Sequence, residues 1–218
     1  MSVFLSNGST ISIAGTLGAE KIVTAVTNAS PGVASSTGHG FVNGGIVLVR
    51  SGWTSLDSRV ARVAASEADK FSLDGIDTTN VRRYPAGGGA GGARLVTPTS
   101  WTEITQITES SASGGEQQFA TYSFLADTGD QRQLPTKRTP RQITLQVADD
   151  AAQPHYAILD AADSDRLPRV IRLSLPNGAV IYYAAYISFN KVPTMNQDEI
   201  MVLAVNLSLA SEPTRYAS

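Results

Sequence analysis

Polar and apolar residues alternate in short runs along most of this chain, and Gly, Pro, Asn and Ser break the runs. That is the pattern of half-buried strands joined by tight turns. Thr10 to Ala14 alternates Ile11 and Ile13 with polar neighbours. Lys21 to Thr27, Gly45 to Arg50, Arg59 to Ala65 and Lys70 to Leu73 read as further strands. Asn28-Ala29-Ser30-Pro31-Gly32 and Asn43-Gly44-Gly45 read as turns between some of them. Spacing this tight suits a small barrel more than a layered α/β unit. Pro85-Ala86-Gly87-Gly88-Gly89-Ala90-Gly91-Gly92-Ala93 offers almost no side chain to bury, so it predicts a flexible connector.

Beyond it the strands lengthen. Trp101 to Thr108 and Gln117 to Leu125 form a first pair. In the second of these, Phe119 and Leu125 share one face, Tyr122 and Phe124 the other, so cover on both sides is expected. Asp127 to Arg141 is polar, is broken by Pro135 and Pro140, and reads as a long loop with a task of its own. Gln142 to Ala148 alternates Ile143, Leu145 and Val147. One helix is predicted at about 153–163: Pro154 suits its first turn and Asp149 or Asp150 favours its N-terminus. His155, Ile158, Leu159 and Ala162 make its apolar stripe. Val170 to Leu175, Val180 to Ser188 and Ile200 to Leu209 close the chain, with a hairpin signal at Pro176-Asn177-Gly178. The expected organisation is an N-terminal strand (1–19) belonging to the body, a small peripheral β-barrel-like module (20–84), a connector (85–97) and a β-sandwich or barrel body with one flanking helix (98–218).

Composition narrows the function classes. Of 218 residues 42% are hydrophobic and 17% charged, which excludes disorder over most of the length. A formal charge of −2 lacks the basic surplus of a dedicated nucleic-acid binder. No cysteine is present, which removes disulfides, thiolate ligands and cysteine nucleophiles together. Two histidines leave a zinc site dependent on carboxylates. No apolar run approaches the ~20 residues of a membrane span. Met1-Ser2-Val3-Phe4-Leu5 has neither a basic start nor a continuous apolar stretch, so no secretory signal is expected.

Several motifs imitate active sites. Gly87 to Gly92 satisfies the dinucleotide-binding glycine pattern, yet the extended Leu95-Val96-Thr97-Pro98 follows where a helix is needed. Asp127-Thr128-Gly129 follows a strand, as in a dimeric aspartic protease. The supporting apolar strand is missing after it, where Asp130-Gln131-Arg132-Gln133-Leu134-Pro135 stands. Asp160, Asp163 and Asp165 cluster at the helix end without the glycine and spacing of a calcium loop. His39, in Gly38-His39-Gly40, reads as a turn or packing residue and His155 as a buried one. No serine nucleophile elbow occurs. No catalytic, cofactor-binding or metal-ligating set emerges. The densest basic cluster is Lys137-Arg138 with Arg141 nearby.

The order of elements from Trp101 onward resembles the major tail tube proteins of long-tailed bacteriophages. So do Asp165-Arg166-Leu167-Pro168 through Leu175-Pro176-Asn177-Gly178, the aromatic return strand Tyr182 to Phe189, and Asp198-Glu199-Ile200-Met201. Residues 20–84 resemble a small β module of phage structural proteins. Its marks are Gly38-His39-Gly40-Phe41, Gly52-Trp53-Thr54-Ser55-Leu56 and Lys70-Phe71-Ser72-Leu73, with Asp57-Ser58 where Asn-Gly is usual. The resemblance implies a virion protein, assembled in the host cytoplasm, that self-assembles into stacked hexameric rings forming the tail tube. Its implied partners are further copies of itself, a tape-measure protein, terminator and baseplate or tip proteins, and DNA in transit during ejection. No cofactor and no membrane are implied. The polar segment is then the candidate ring-stacking loop, with Asp127, Asp130, Arg132, Lys137, Arg138 and Arg141 as its contact residues. Alternatives are a non-polymerising phage component (decoration, terminator or hub protein), a protease using Asp127, or a carbohydrate-binding module using Trp53 and Trp101.

Overall fold

The computed structural model describes residues 7–126 and 128–217. Residues 1–6 of the expected N-terminal arm, Asp127 and Ser218 lie outside them. The described chain is mainly β with one α-helix. Its first part holds β1 (Thr10–Ala14), β2 (Lys21–Val23), β3 (Ala25–Val26), β4 (Gly32–Ser35), β5 (Ile46–Ser51), β6 (Val60–Ala64), β7 (Lys70–Asp74) and β8 (Gly91–Leu95). Then come β9 (Trp101–Ile104), β10 (Ile107–Ser113), β11 (Gln117–Tyr122), β12 (Arg132–Arg138) and β13 (Gln142–Ala148). Helix α1 (Pro154–Asp165) precedes β14 (Arg169–Ser174), β15 (Val180–Phe189), β16 (Val202–Leu209) and β17 (Thr214–Tyr216).

Eight strands form the larger sheet, in the order β10-β13-β16-β15-β14-β1-β9, with β17 added on β15. Its end strands β9 and β10 follow one another in the chain, so the sheet curls around its own core. Ile13, Ile104, Leu145, Ile171, Tyr183 and Leu207 fill that core. Helix α1 packs on it through His155, Leu159 and Ala162, the predicted stripe. Pro154 opens the helix and Arg166, in the left-handed region at φ 55°, ends it.

The smaller sheet runs β2-β8-β5-β6-β7-β4-β3. Only Thr24 separates β2 from β3, so one kinked segment supplies both ends of a barrel-like curl. Val47, Trp53, Leu56, Phe71, Leu73 and Tyr84 are its core.

Three expectations are corrected. The glycine-rich stretch is not a free connector, because Gly91–Leu95 is strand β8 between β2 and β5. Its glycines serve close approach rather than flexibility: a Cβ at Gly91 would overlap the carbonyl oxygen of Arg50, and one at Gly92 the carboxylate of Glu20. The ring of Trp53 lies against Gly88 and Gly89, and its indole N–H donates to the Pro85 carbonyl at 2.7 Å.

The segment 127–141 is not a loop throughout, because β12 pairs with β11 in an antiparallel hairpin. Its polar residues and Pro135 concealed the strand. Strand β11, for its part, is not covered on both faces: the chain's own body leaves the hairpin exposed.

The two sheets also pack on each other. Ala14, Ile46, Val60, Val96, Val170 and Ala184 make a third apolar cluster between them. Ser211 Oγ donates to the Ser58 carbonyl at 2.8 Å, and Arg83 meets Glu212 at 3.3 Å.

Candidate assembly site

Strands β10 and β13 pair up to Ser113↔Gln142, and the ribbon then bends into the hairpin β11–β12. Gly114 and Gly115 make the bend, with φ of 79° and 82°. Residues with a side chain rarely adopt such angles, and a Cβ at Gly114 would overlap the Pro140 carbonyl. Past the bend Thr139 ties the ribbon together: its hydroxyl accepts from the Glu116 N–H at 3.0 Å, and its carbonyl from the Gly115 N–H at 3.1 Å.

Every residue of β12 is exposed, and so are the four central residues of β11. Apolar groups are among them: Phe119 is 54% exposed, Leu134 55% and, near the tip, Phe124 58%. Ala120 faces Leu134 and Phe119 faces Pro135 across the ladder, so both faces carry apolar bulk. Near the tip the Arg132 guanidinium lies 5.3 Å from the centre of the Phe124 ring.

The candidate contact residues spread along this arm rather than converging. Asp127 lies outside the described residues. Asp130 and Arg132 are at the tip end, Lys137 and Arg138 at the other end of β12. Arg141 sits at the junction with the body, where it helps line a cavity of about 170 Å³ with Arg138, Leu209 and Glu212. The six-residue ladder separates tip from base by ~20 Å. The charges are strung along the arm and do not converge on one point. The apolar members of the arm, Phe119 and Leu134, were absent from the sequence-based set. The signal for Phe119 was bulk on both faces of one strand, whereas Leu134, in a segment read as a polar loop, had none.

The other motifs are structural. His39 is buried, its Nδ1 accepting from the Phe41 N–H at 2.9 Å and its Nε2–H directed at the Glu67 carbonyl at 2.8 Å. His155, on α1, is buried, and burial pushes its pKa down, opposed by the charge of Asp150. Asp160 pairs with Lys191, and Asp163 accepts the Phe189 N–H at 3.1 Å. The Leu167 N–H and the Arg169 guanidinium hold the Asp165 carboxyl below the usual carboxylate range. Among the described residues no group of three metal-ligating side chains forms. No described helix is long and apolar enough to cross a membrane. Trp53 is buried in the smaller sheet and Trp101 is stacked under Arg172 at 4.8 Å, so neither offers the open platform a sugar needs.

No curated protein matches the chain. Among solved structures, partial likenesses occur in contractile systems. One is a chain from the anti-feeding prophage (AFP) baseplate, with a TM-score of 0.39, 8% identity, 54% of this chain and 84% of that chain covered. Another, from the AFP tube terminating cap, has a TM-score of 0.37 and 20% identity over 55% of this chain and 83% of that one. A third, from the PVC sheath-tube complex of an extracellular contractile injection system, has a TM-score of 0.36 and 20% identity over 50% and 80%. The sequence pattern of one family, described as phage tail tube protein (TTP), matches residues 51–218. That match runs from the last residue of β5 through both sheets and the hairpin, and takes in most of the chain. The chain belongs to the phage tail tube protein family.

Proposed function

We propose that copies of this chain close into six-membered rings, and that the rings stack into the hollow tube through which DNA is ejected. As a family member the chain is a structural component of the virion tail and not an enzyme. The observation that carries the reading is the unsupported hairpin. An isolated two-stranded ribbon is marginal in water, and this one exposes apolar groups on both faces. A neighbouring copy is the natural cover.

Ring closure has its own support. The larger sheet ends in β9 and β10, whose outer edges pair with no strand of this chain among the described residues. The exposed part of β10, Thr108 to Ser113, carries neither Pro nor Lys to block pairing. Strand edges given to neighbours by rotation close a ring. In this account the hairpin docks ring on ring, with Asp127, Asp130, Arg132, Lys137, Arg138 and Arg141 among its contacts. Residues 20–84 lie on the outside of the tube. Tape-measure protein fills the tube before infection, terminator and baseplate or tip proteins cap it, and assembly takes place in the host cytoplasm. A chain near neutrality, at −2, suits a wall along which a polyanion slides.

The test is to excise the hairpin by joining Ser113 to Gln142 through an Asn-Gly turn. The variant should fold and form single rings that no longer stack. Tubes of normal length from it would refute the assignment of the hairpin.

A further inference from the structure

The hairpin and the segment between β15 and β16 stand at opposite ends of one sheet. Strands β13 and β16 pair without interruption from Gln142↔Ser208 to Ala148↔Val202. The hairpin leaves the sheet beside Gln142, and residues 190–201 enter it at Val202. These seven residue pairs hold the two features ~20 Å apart.

Their surfaces are complementary. The hairpin offers Phe119 and Leu134, each more than half exposed, beside the cations Lys137 and Arg138. The loop offers Val192, Met195 and Ile200, each 70–71% exposed, beside the anions Asp198 and Glu199. Among the described residues none of these four charges has an ion-pair partner. The loop has a defined shape. Thr194 bridges to Val202, its N–H donating to the Val202 carbonyl at 2.9 Å, and Asn196 Nδ2 donates to Glu199 at 2.7 Å.

We infer that the loop 190–201 is the receiver for the hairpin of a second copy, an inference that rests on the tube reading above. One chain cannot satisfy both surfaces, because its own sheet holds them apart. Between copies the match is head to tail, so each copy gives one hairpin and takes one, and the contact repeats instead of ending at a pair. Apolar groups exclude water from the contact, while the basic and acidic pairs fix its register and disfavour hairpin-to-hairpin encounters.

Charge reversal tests it in the full-length chain. K137E/R138E should cut the sedimentable, assembled fraction by about tenfold, since it sets like charges against each other across the contact. Adding D198K/E199K to the same chain should restore assembly. All four side chains are exposed, so the thermal melts of the unassembled variants should match that of the wild type.

Cross-linking gives a second readout, because the wild-type chain has no cysteine. A chain carrying both Leu134→Cys and Met195→Cys should oxidise to a ladder running well past the dimer, and neither single variant should do so. If the wild type assembles while the reversed variant assembles equally well, or the double-cysteine chain stops at the dimer, the receiver is wrong and the tube reading stands. If the wild type never assembles, both fall.

Discussion

Replacing Tyr216 by Phe removes one oxygen atom from the contact between the two sheets. That hydroxyl accepts from the Arg62 N–H at 2.8 Å and donates to the Asp74 carbonyl at 2.8 Å, so it bridges β17 of the larger sheet to β6 and β7 of the smaller. Burial pushes the phenol up to about 12, and both bonds therefore persist across any ordinary working pH. The ring itself would stay, stacked 4.3 Å beneath the Arg62 guanidinium. What changes is that a backbone N–H and a backbone carbonyl lose a partner, at a cost of ~1–3 kcal/mol. For a chain of this size 1 kcal/mol moves the melting temperature by ~2–4 °C, so a fall of about 2–12 °C is expected. Differential scanning calorimetry of the unassembled subunit would read it, with the half-exposed Tyr186→Phe as a control that should not shift. The melt should remain a single transition, because the third apolar cluster couples the sheets. An unchanged melting temperature, or two separate transitions, would refute the reasoning that the sheets fold as one unit.

Two further outcomes follow from the packing. Gly91→Ala should destabilise the subunit by ~1–3 kcal/mol in denaturant titration, since its Cβ would overlap the Arg50 carbonyl, whereas a free connector would tolerate it. For His155 the folded-state pKa lies below the ordinary 6.5, so the unfolded chain binds its proton first. Its contribution is complete above about pH 6.5 and is lost as pH falls below that value. Melts between pH 7.5 and 5 should therefore fall with pH, less steeply in His155→Leu, and equal slopes would contradict this.

Strands with a covered face were legible in the sequence. Thr10–Ala14 and Gln142–Ala148 appear at the predicted limits, and the Asn177-Gly178 signal sits in the turn between β14 and β15. Helix α1 follows its predicted stripe. Strand β8 was hidden because its glycines have no side chain to alternate, although their smallness is what admits neighbouring backbone and side-chain groups. Strand β12 was hidden because neither of its faces is buried within the chain, so nothing in its sequence marks an inside. The candidate site was half legible for the same reason. Charges in a polar segment identify an arm, but the value of Phe119 and the opposing loop at Met195 depends on where the sheet places them. Tertiary register decides that, and no local pattern records it.

The account stands on assembly of identical copies, and electron microscopy of the purified wild-type chain at high concentration tests that most directly. Six-fold rings stacked into hollow tubes are the predicted result. A population of single subunits under every condition, with the outer edges of β9 and β10 protected from hydrogen exchange in the monomer, would contradict it.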